Sequence, residues 1–199
     1  MRINQYLATY AICIALLLTG FIALPLIETA SAETEALEKN PTISAAKMDN
    51  ETLGFIIEKL DPKAQGRPGY WQLQNRGIAA QVITDENANR MRIIVQVAAV
   101  EGLDQDLLFR LLQANFDTAL DARYAIAQNI LWSTFIHPLS SLSENEFVSG
   151  FAQTIILAET FGDSFSSGAL KFNGGDIAIA EQELYRDILE QFKNSGLSI

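Results

Sequence analysis

The stretch IAAQVITDENANRMRIIVQV, residues 78–97, decides the fold. Ile78, Ala80 and Val82 alternate with Ala79 and Gln81, and Met91, Ile93, Val95 and Val97 alternate with Arg92, Ile94 and Gln96. Successive side chains of a strand point to opposite faces, so this period of two marks a half-buried strand in each run. Between them, Asp85-Glu86-Asn87-Ala88-Asn89 is rich in turn formers and reads as a hairpin loop. Alternating strands joined this way belong to an antiparallel sheet with one buried face. Tyr70 to Gln74 supplies a third strand, preceded by a turn at Gly66, Pro68 and Gly69.

Helices flank this block. Asp49 is an N-cap for a helix with Leu53, Ile56, Ile57 and Leu60 on one stripe, stopped by Pro62. Asp104 caps a second helix running to about Leu120, with Leu107, Leu108, Leu111, Leu112 and Phe116 as its apolar positions. Tyr124 to Ala127 and Ile130 to Ile136 read as two more strands joined near Gln128-Asn129. Ser143 and Glu146 form a capping box for a helix carrying Phe147, Phe151, Ile155 and Ala158. After a loop from Gly162 to Gly175, Asp176 caps a last helix with Ile177, Leu184, Ile188, Leu189 and Phe192. The expectation is therefore an α+β fold, because strands come in blocks and do not alternate singly with helices. Its antiparallel sheet of about five strands packs with helices in the order α-β-β-β-α-β-β-α, plus a C-terminal helix. One domain spans 48–199, with its core at 49–161 and the C-terminal loop and helix at 162–199.

The chain has 199 residues, with 14 Lys+Arg against 24 Asp+Glu, a net charge of -10 and 49% apolar residues. That apolar fraction excludes a disordered chain. The acidic balance leaves no basic stripe for nucleic-acid phosphates. Leu7 to Ile27 is an uncharged apolar run behind Arg2, and Ala30-Ser31-Ala32 follows Pro25 and Glu28. This pattern predicts a signal peptide over 1–32, cut after Ala32, and a periplasmic or secreted protein. The alternative is an anchor formed by the uncleaved N-terminal helix, since the run matches the ~20 residues that span a bilayer. No second run of that length follows, so stable membrane insertion after cleavage is not expected. Residues 33–47 are small and polar and read as a flexible lead. The only Cys, Cys13, lies in the signal, so the exported part has no disulfide, thiol nucleophile or Cys metal site.

Three features together resemble a known family. They are the helix end Leu111-Leu112-Gln113-Ala114-Asn115-Phe116, the strand Ala122-Arg123-Tyr124-Ala125-Ile126, and the strand end His137-Pro138-Leu139 before a capped helix. The pattern, from about Asp49 to Phe161, resembles the YbjN-like branch of the type III secretion chaperone-like superfamily. The resemblance implies a compact α+β domain, an acidic surface, frequent homodimers and a binding role without catalysis. The export signal and the last helix depart from the cytoplasmic secretion chaperones.

His137, the only His, lacks a nucleophile or acid motif beside it and reads as a strand-end residue with a solvent or backbone partner. Asp104 and Asp106 suit a helix N-terminus. Asp117 and Asp121 sit at the other end, where Arg110 or Arg123 are their expected partners. These four carboxylates have no EF-hand spacing, and no metal or cofactor is expected. Gly174-Gly175 lacks the Lys-Ser/Thr of a phosphate loop. Asn115, Ser143 and Glu146 read as structural, Asn115 by bonding backbone groups as the chain turns into the next strand. Apolar residues lie on both faces of the strands, so Trp71, Leu73, Ile83, Ile94 and Trp132 form a candidate partner-binding surface, with core placement as the competing reading for the tryptophans. The surplus face calls for the last helix, a second subunit or a client.

These features lead to a non-enzymatic exported binding or chaperone-like protein with a protein or peptide partner. The alternative is a self-assembling structural or regulatory module without a client. A third reading, a hydrolase using His137, has no catalytic constellation behind it.

Overall fold

A computed structural model describes residues 47–169 and 179–196. The signal peptide, nearly all of the lead, Gly174-Gly175 and the Asp176 cap lie outside the described residues.

The first helix, α1 (Asn50–Leu60), opens where Asp49 Oδ1 accepts from Thr52 N at 2.8 Å, and buries Leu53, Ile56 and Ile57. Four strands follow: β1 (Gln65–Arg67), β2 (Tyr70–Asn75), β3 (Ile78–Asp85) and β4 (Arg90–Ala99). After α2 (Gln105–Asp117) come β5 (Arg123–Ala127) and β6 (Ile130–His137). Two helices complete the described chain, α3 (Glu144–Glu159) and α4 (Ile179–Asn194). The strands form one antiparallel sheet in the order β1-β2-β3-β4-β6-β5.

The sheet has six strands where about five were expected. The extra one, β1, lies in the stretch expected to be wholly a turn. The turn is confined to Pro68-Gly69, with Gly69 at φ +97°, and on either side Arg67 pairs with Tyr70 and Gln65 with Gln72. Gly66 permits this close pairing, because a Cβ there would stand 2.3 Å from the Tyr70 carbonyl oxygen. Where β1 stops, Asp61 Oδ2 accepts from Gln74 N at 2.9 Å and covers the bare edge of β2.

The helix α2 ends at Asp117, short of Leu120. The N–H groups of Thr118 and Ala119 both turn back onto the Ala114 carbonyl, and the chain leaves the helix axis there.

The inner sheet face presents Trp71, Leu73, Ala80, Val82, Met91, Ile93, Val95 and Phe135 to α1, α3 and α4 in one buried core. On α3, Phe147, Phe151 and Ile155 are all fully buried there. Gly150 lets this helix come down on β6, since a Cβ would stand 2.6 Å from the Phe135 ring. A second core joins Leu111 and Ala114 of α2 to Tyr124, Leu131, Leu157 and Phe165. The β-bulge between Gln96 and Ala98 marks the passage between the two, and Val97 belongs to the second.

The C-terminal helix does not cover the second sheet face. Its Ile188 and Phe192 enter the inner core, with Phe192 5.8 Å from Phe151. The outer face carries Ile83, Ile94 and Trp132 among Gln72, Gln81, Arg92, Gln96 and Thr134, and none of these belongs to either core.

Candidate functional site

The arrangement that stands out is an apolar groove between α2 and β5. A helix buries one stripe against its domain, and here Leu111 and Ala114 do so. Phe109, Leu112 and Phe116 lie at i, i+3 and i+7 on a different stripe and are 58%, 66% and 69% exposed. Of the apolar positions read for this helix, the structure puts Leu112 and Phe116 on the solvent side. Beside them, Leu108, Leu111 and Leu112 face Tyr124, Ala125 and Ile126 of β5 across a cavity of about 410 Å³. Ile126 is itself exposed. Large apolar side chains gathered this way are what a soluble protein avoids unless the surface meets something.

Hydrogen bonds and ring contacts set the spacing of the groove. Asn115 of α2 receives the Tyr124 N–H on Oδ1 at 2.7 Å and donates Nδ2 to the Tyr124 carbonyl at 3.0 Å. The Tyr124 hydroxyl donates to Leu157 O at 2.6 Å, and burial pushes its pKa far up, so it remains a neutral donor. Tyr124, Phe161 and Phe165 pack edge to face, with centroids 5.9–6.3 Å apart. Phe165 takes φ +57° in a buried loop where Thr118 Oγ1 donates to its carbonyl at 2.6 Å. The Arg110 guanidinium lies 5.0 Å over the Phe165 ring.

β5 is also an edge strand. Asn115 occupies the Tyr124 peptide, which points away from β6. By the alternation of an antiparallel ladder, the Ile126 peptide points the same way, onto the open edge. The opposite edge is short and guarded by Pro68, Arg67 and Asp61, whereas among the described residues the outer edge of β5 carries no Pro and is capped only at Tyr124, by Asn115.

The sequence-derived surface divides in two. Trp71 and Leu73 are 7% and 2% exposed and belong to the inner core, so they are not part of an open surface. The alternation that puts them on the inner face puts Ile83, Ile94 and Trp132 on the outer one, half-buried and diluted by polar neighbours. Trp132 Nε1 donates to Ala127 O at 3.1 Å.

His137 lies in a mixed cavity of about 520 Å³ with Asp121, Arg123, Asn145, Glu146 and Ser149 beside Phe135 and Ile136. Its Nδ1 meets Pro138 O at 2.9 Å, its Nε2 stands 3.9 Å from Glu146 Oε1, and its ring stacks on Phe135. The Ser149 hydroxyl is engaged with Tyr185 at 2.7 Å and accepts from Gln153 at 3.1 Å. No hydrogen bond among the described residues joins His137 to a hydroxyl. Glu146 serves the capping box: its Oε2 accepts from Ser143 N at 2.7 Å, which holds its carboxyl below the ordinary value, and Ser143 Oγ accepts from Glu146 N.

Asp104 caps Leu107 N, and Asp121 accepts from Gln153 Nε2 at 3.0 Å. Neither arginine takes up the ion pair expected with Asp117 or Asp121. Arg123 donates to Ala119 O and Ala122 O, and Arg110 covers Phe165. Among the described residues, no group of three or more His, Cys, Asp or Glu side chains is placed to hold a metal ion, and no helix is long and apolar enough to cross a membrane.

No protein-family model and no curated protein sequence matches the chain. Three solved structures are similar in arrangement. The crystal structure of the ExsC-ExsE complex aligns at a TM-score of 0.43 and 14% identity, covering 56% of this chain and 92% of that one. The HopA1-SchA chaperone-effector complex aligns at 0.43 and 12% identity, covering 56% and 94%. The Yersinia pestis type III secretion chaperone SycH, in complex with a stable fragment of YscM2, aligns at 0.42 and 13% identity, covering 54% and 98%.

Proposed function

We propose that this chain is an exported, non-enzymatic, chaperone-like protein of the YbjN-like kind, which recognises a protein or peptide partner on the α2–β5 face. The observation that carries this reading is the exposed stripe Phe109, Leu112 and Phe116 beside an apolar groove at a sheet edge. Its position on packed, capped elements presents the groove preformed, which limits the ordering cost of binding. Export rests on the Leu7–Ile27 run and the Ala30-Ser31-Ala32 site.

A photo-crosslinking residue at Leu112, compared with one at Gln72 on the outer sheet face, tests the site. Protein adducts at Leu112 that disappear with Phe116→Asp support it. Equal adducts at both positions, or none at Leu112, overturn it. Fractionation should place the protein in the periplasm with Glu33 as its first residue; intact Met1 to Ala32 on membranes would establish the anchor. The alternative of a self-assembling module predicts a concentration-independent dimer in sedimentation, with no residual binding of hydrophobic dye.

A further inference from the structure

A second cavity, of about 690 Å³, lies against β1, β2 and β3, at the opposite end of the strand order from β5. Its wall is a ladder of carboxamides. Gln65 pairs with Gln72, and Gln72 with Gln81, so these three side chains stand in one row on the outer face, ~4.8 Å from strand to strand. Gln74 follows two residues along β2, on the same face. The Gln65, Gln74 and Gln81 side chains make no hydrogen bond among the described residues. Gln72 donates to the Tyr70 hydroxyl at 2.7 Å and keeps its own oxygen open. Asp61 is the one carboxylate lining this cavity, and both its oxygens are taken by backbone, accepting from Lys63 N and Gln74 N at 2.9 Å each.

The next row across the sheet reads Arg67, Tyr70, Ile83 and Arg92. Both guanidinium groups are exposed, and neither has an ion pair or hydrogen bond among the described residues. The chain holds 24 Asp+Glu, yet its six strands carry a single carboxylate, Asp85, which stands opposite Arg90. The outer face near the cavity is thus positive on a chain of net charge -10.

We propose that this face binds an acidic saccharide. A carboxamide offers a donor and an acceptor side by side, which suits neighbouring sugar hydroxyls, and a guanidinium takes a carboxylate with two parallel hydrogen bonds. Other anionic partners fit less well. An extended peptide pairs through backbone at a sheet edge, whereas the ladder lies on the face. An amphipathic helix calls for an apolar groove, and this wall is amide. Nucleic acid calls for a cation at each phosphate contact, which two free guanidinium groups on an acidic chain do not supply.

An array of oligosaccharides bearing uronic, sialic or lactyl-ether carboxylates, beside their methyl esters, tests the proposal with the protein as purified from cells. At least one acid should bind. In calorimetry its affinity should fall roughly tenfold in Gln72→Leu/Gln81→Leu at an unchanged melting midpoint. Arg67→Gln/Arg92→Gln should bring acid and ester to the same affinity. Phe116→Asp, on the α2–β5 face, should leave binding unchanged, so the two sites are judged separately. No binding across the array, or binding that survives the double Leu variant, overturns the inference. Equal binding of acid and ester by the unaltered protein also overturns it, because the arginines then read nothing. Tighter binding of an oligoglutamate peptide or a single-stranded oligonucleotide, lost in the same variants, names a different occupant and overturns it as well.

Discussion

Asn115 brackets the peptide unit of Tyr124, receiving its N–H at 2.7 Å and donating to its carbonyl at 3.0 Å. A carboxamide has the same donor and acceptor as a peptide bond, so one side chain of α2 stands in for the missing neighbour strand of β5. The pair fixes the spacing between helix and strand, and with it the width of the groove. Asn115→Ala should cost about 1–2 kcal/mol, since it strands a partly buried N–H and C=O together. Asn115→Asp should also destabilise, because the donor to the carbonyl is gone. Denaturant melts measure both, and a loss indistinguishable from zero would show that this pair does not hold the groove.

The exposed stripe behaves differently from the core. Phe116→Ser should change stability by no more than about 0.5 kcal/mol, as for other exposed positions. It should reduce binding of hydrophobic dye. A large loss of stability would mean that α2 packs differently and that the groove as described does not exist.

Phe151 is fully buried on α3 against the sheet and Phe192. Phe151→Ala should cost about 3–5 kcal/mol. A loss below ~1 kcal/mol in denaturant melts would remove this helix from the core.

Gly150→Ala sets two effects against each other. Ala gains about 1 kcal/mol of helix propensity over Gly. Against that, its Cβ would stand 2.6 Å from the buried Phe135 ring, which must then shift within a close-packed layer. Overpacking of this kind costs about 1–3 kcal/mol, so the expected net change is destabilising. A higher melting midpoint would show that the α3–β6 contact is looser than described.

The Glu146 carboxyl is held below its ordinary value of 4.5, first by the Ser143 N–H on its oxygen. A lowered folded-state pKa contributes stability that is fully present above pH 4.5 and is lost as pH falls through the folded value. The stability gap between the protein and Glu146→Ala should therefore be widest near neutral pH and narrow below pH 4.5. The group is largely exposed, so the gap is small at any pH. A gap that stays constant across this range would show that the charged cap contributes nothing.

The antiparallel hairpin, the Asp49, Asp104 and Ser143 caps and the core-facing Phe147, Phe151 and Ile155 were legible in the sequence. Each rests on interactions between residues a few positions apart or on a simple period. The α2 stripe was half legible. Leu107, Leu108, Leu111, Leu112 and Phe116, with Phe109 and Ala114, span too much of the helix circumference for one buried face. That excess was the available signal, but periodicity does not say which of two apolar stripes meets the core. Trp71 and Ile83 show the same limit on the sheet: alternation separates the two faces without naming the covered one. Tertiary structure made both choices, since α1, α3 and α4 all settle on the inner face and Leu111 and Ala114 reach the second core. The sequence by itself determined the helices, five of the six strands, their order and the acidic character. Which apolar surface stays open was decided only by packing between residues far apart in the chain, because burying one face of an element is what leaves its other face to solvent or to a partner.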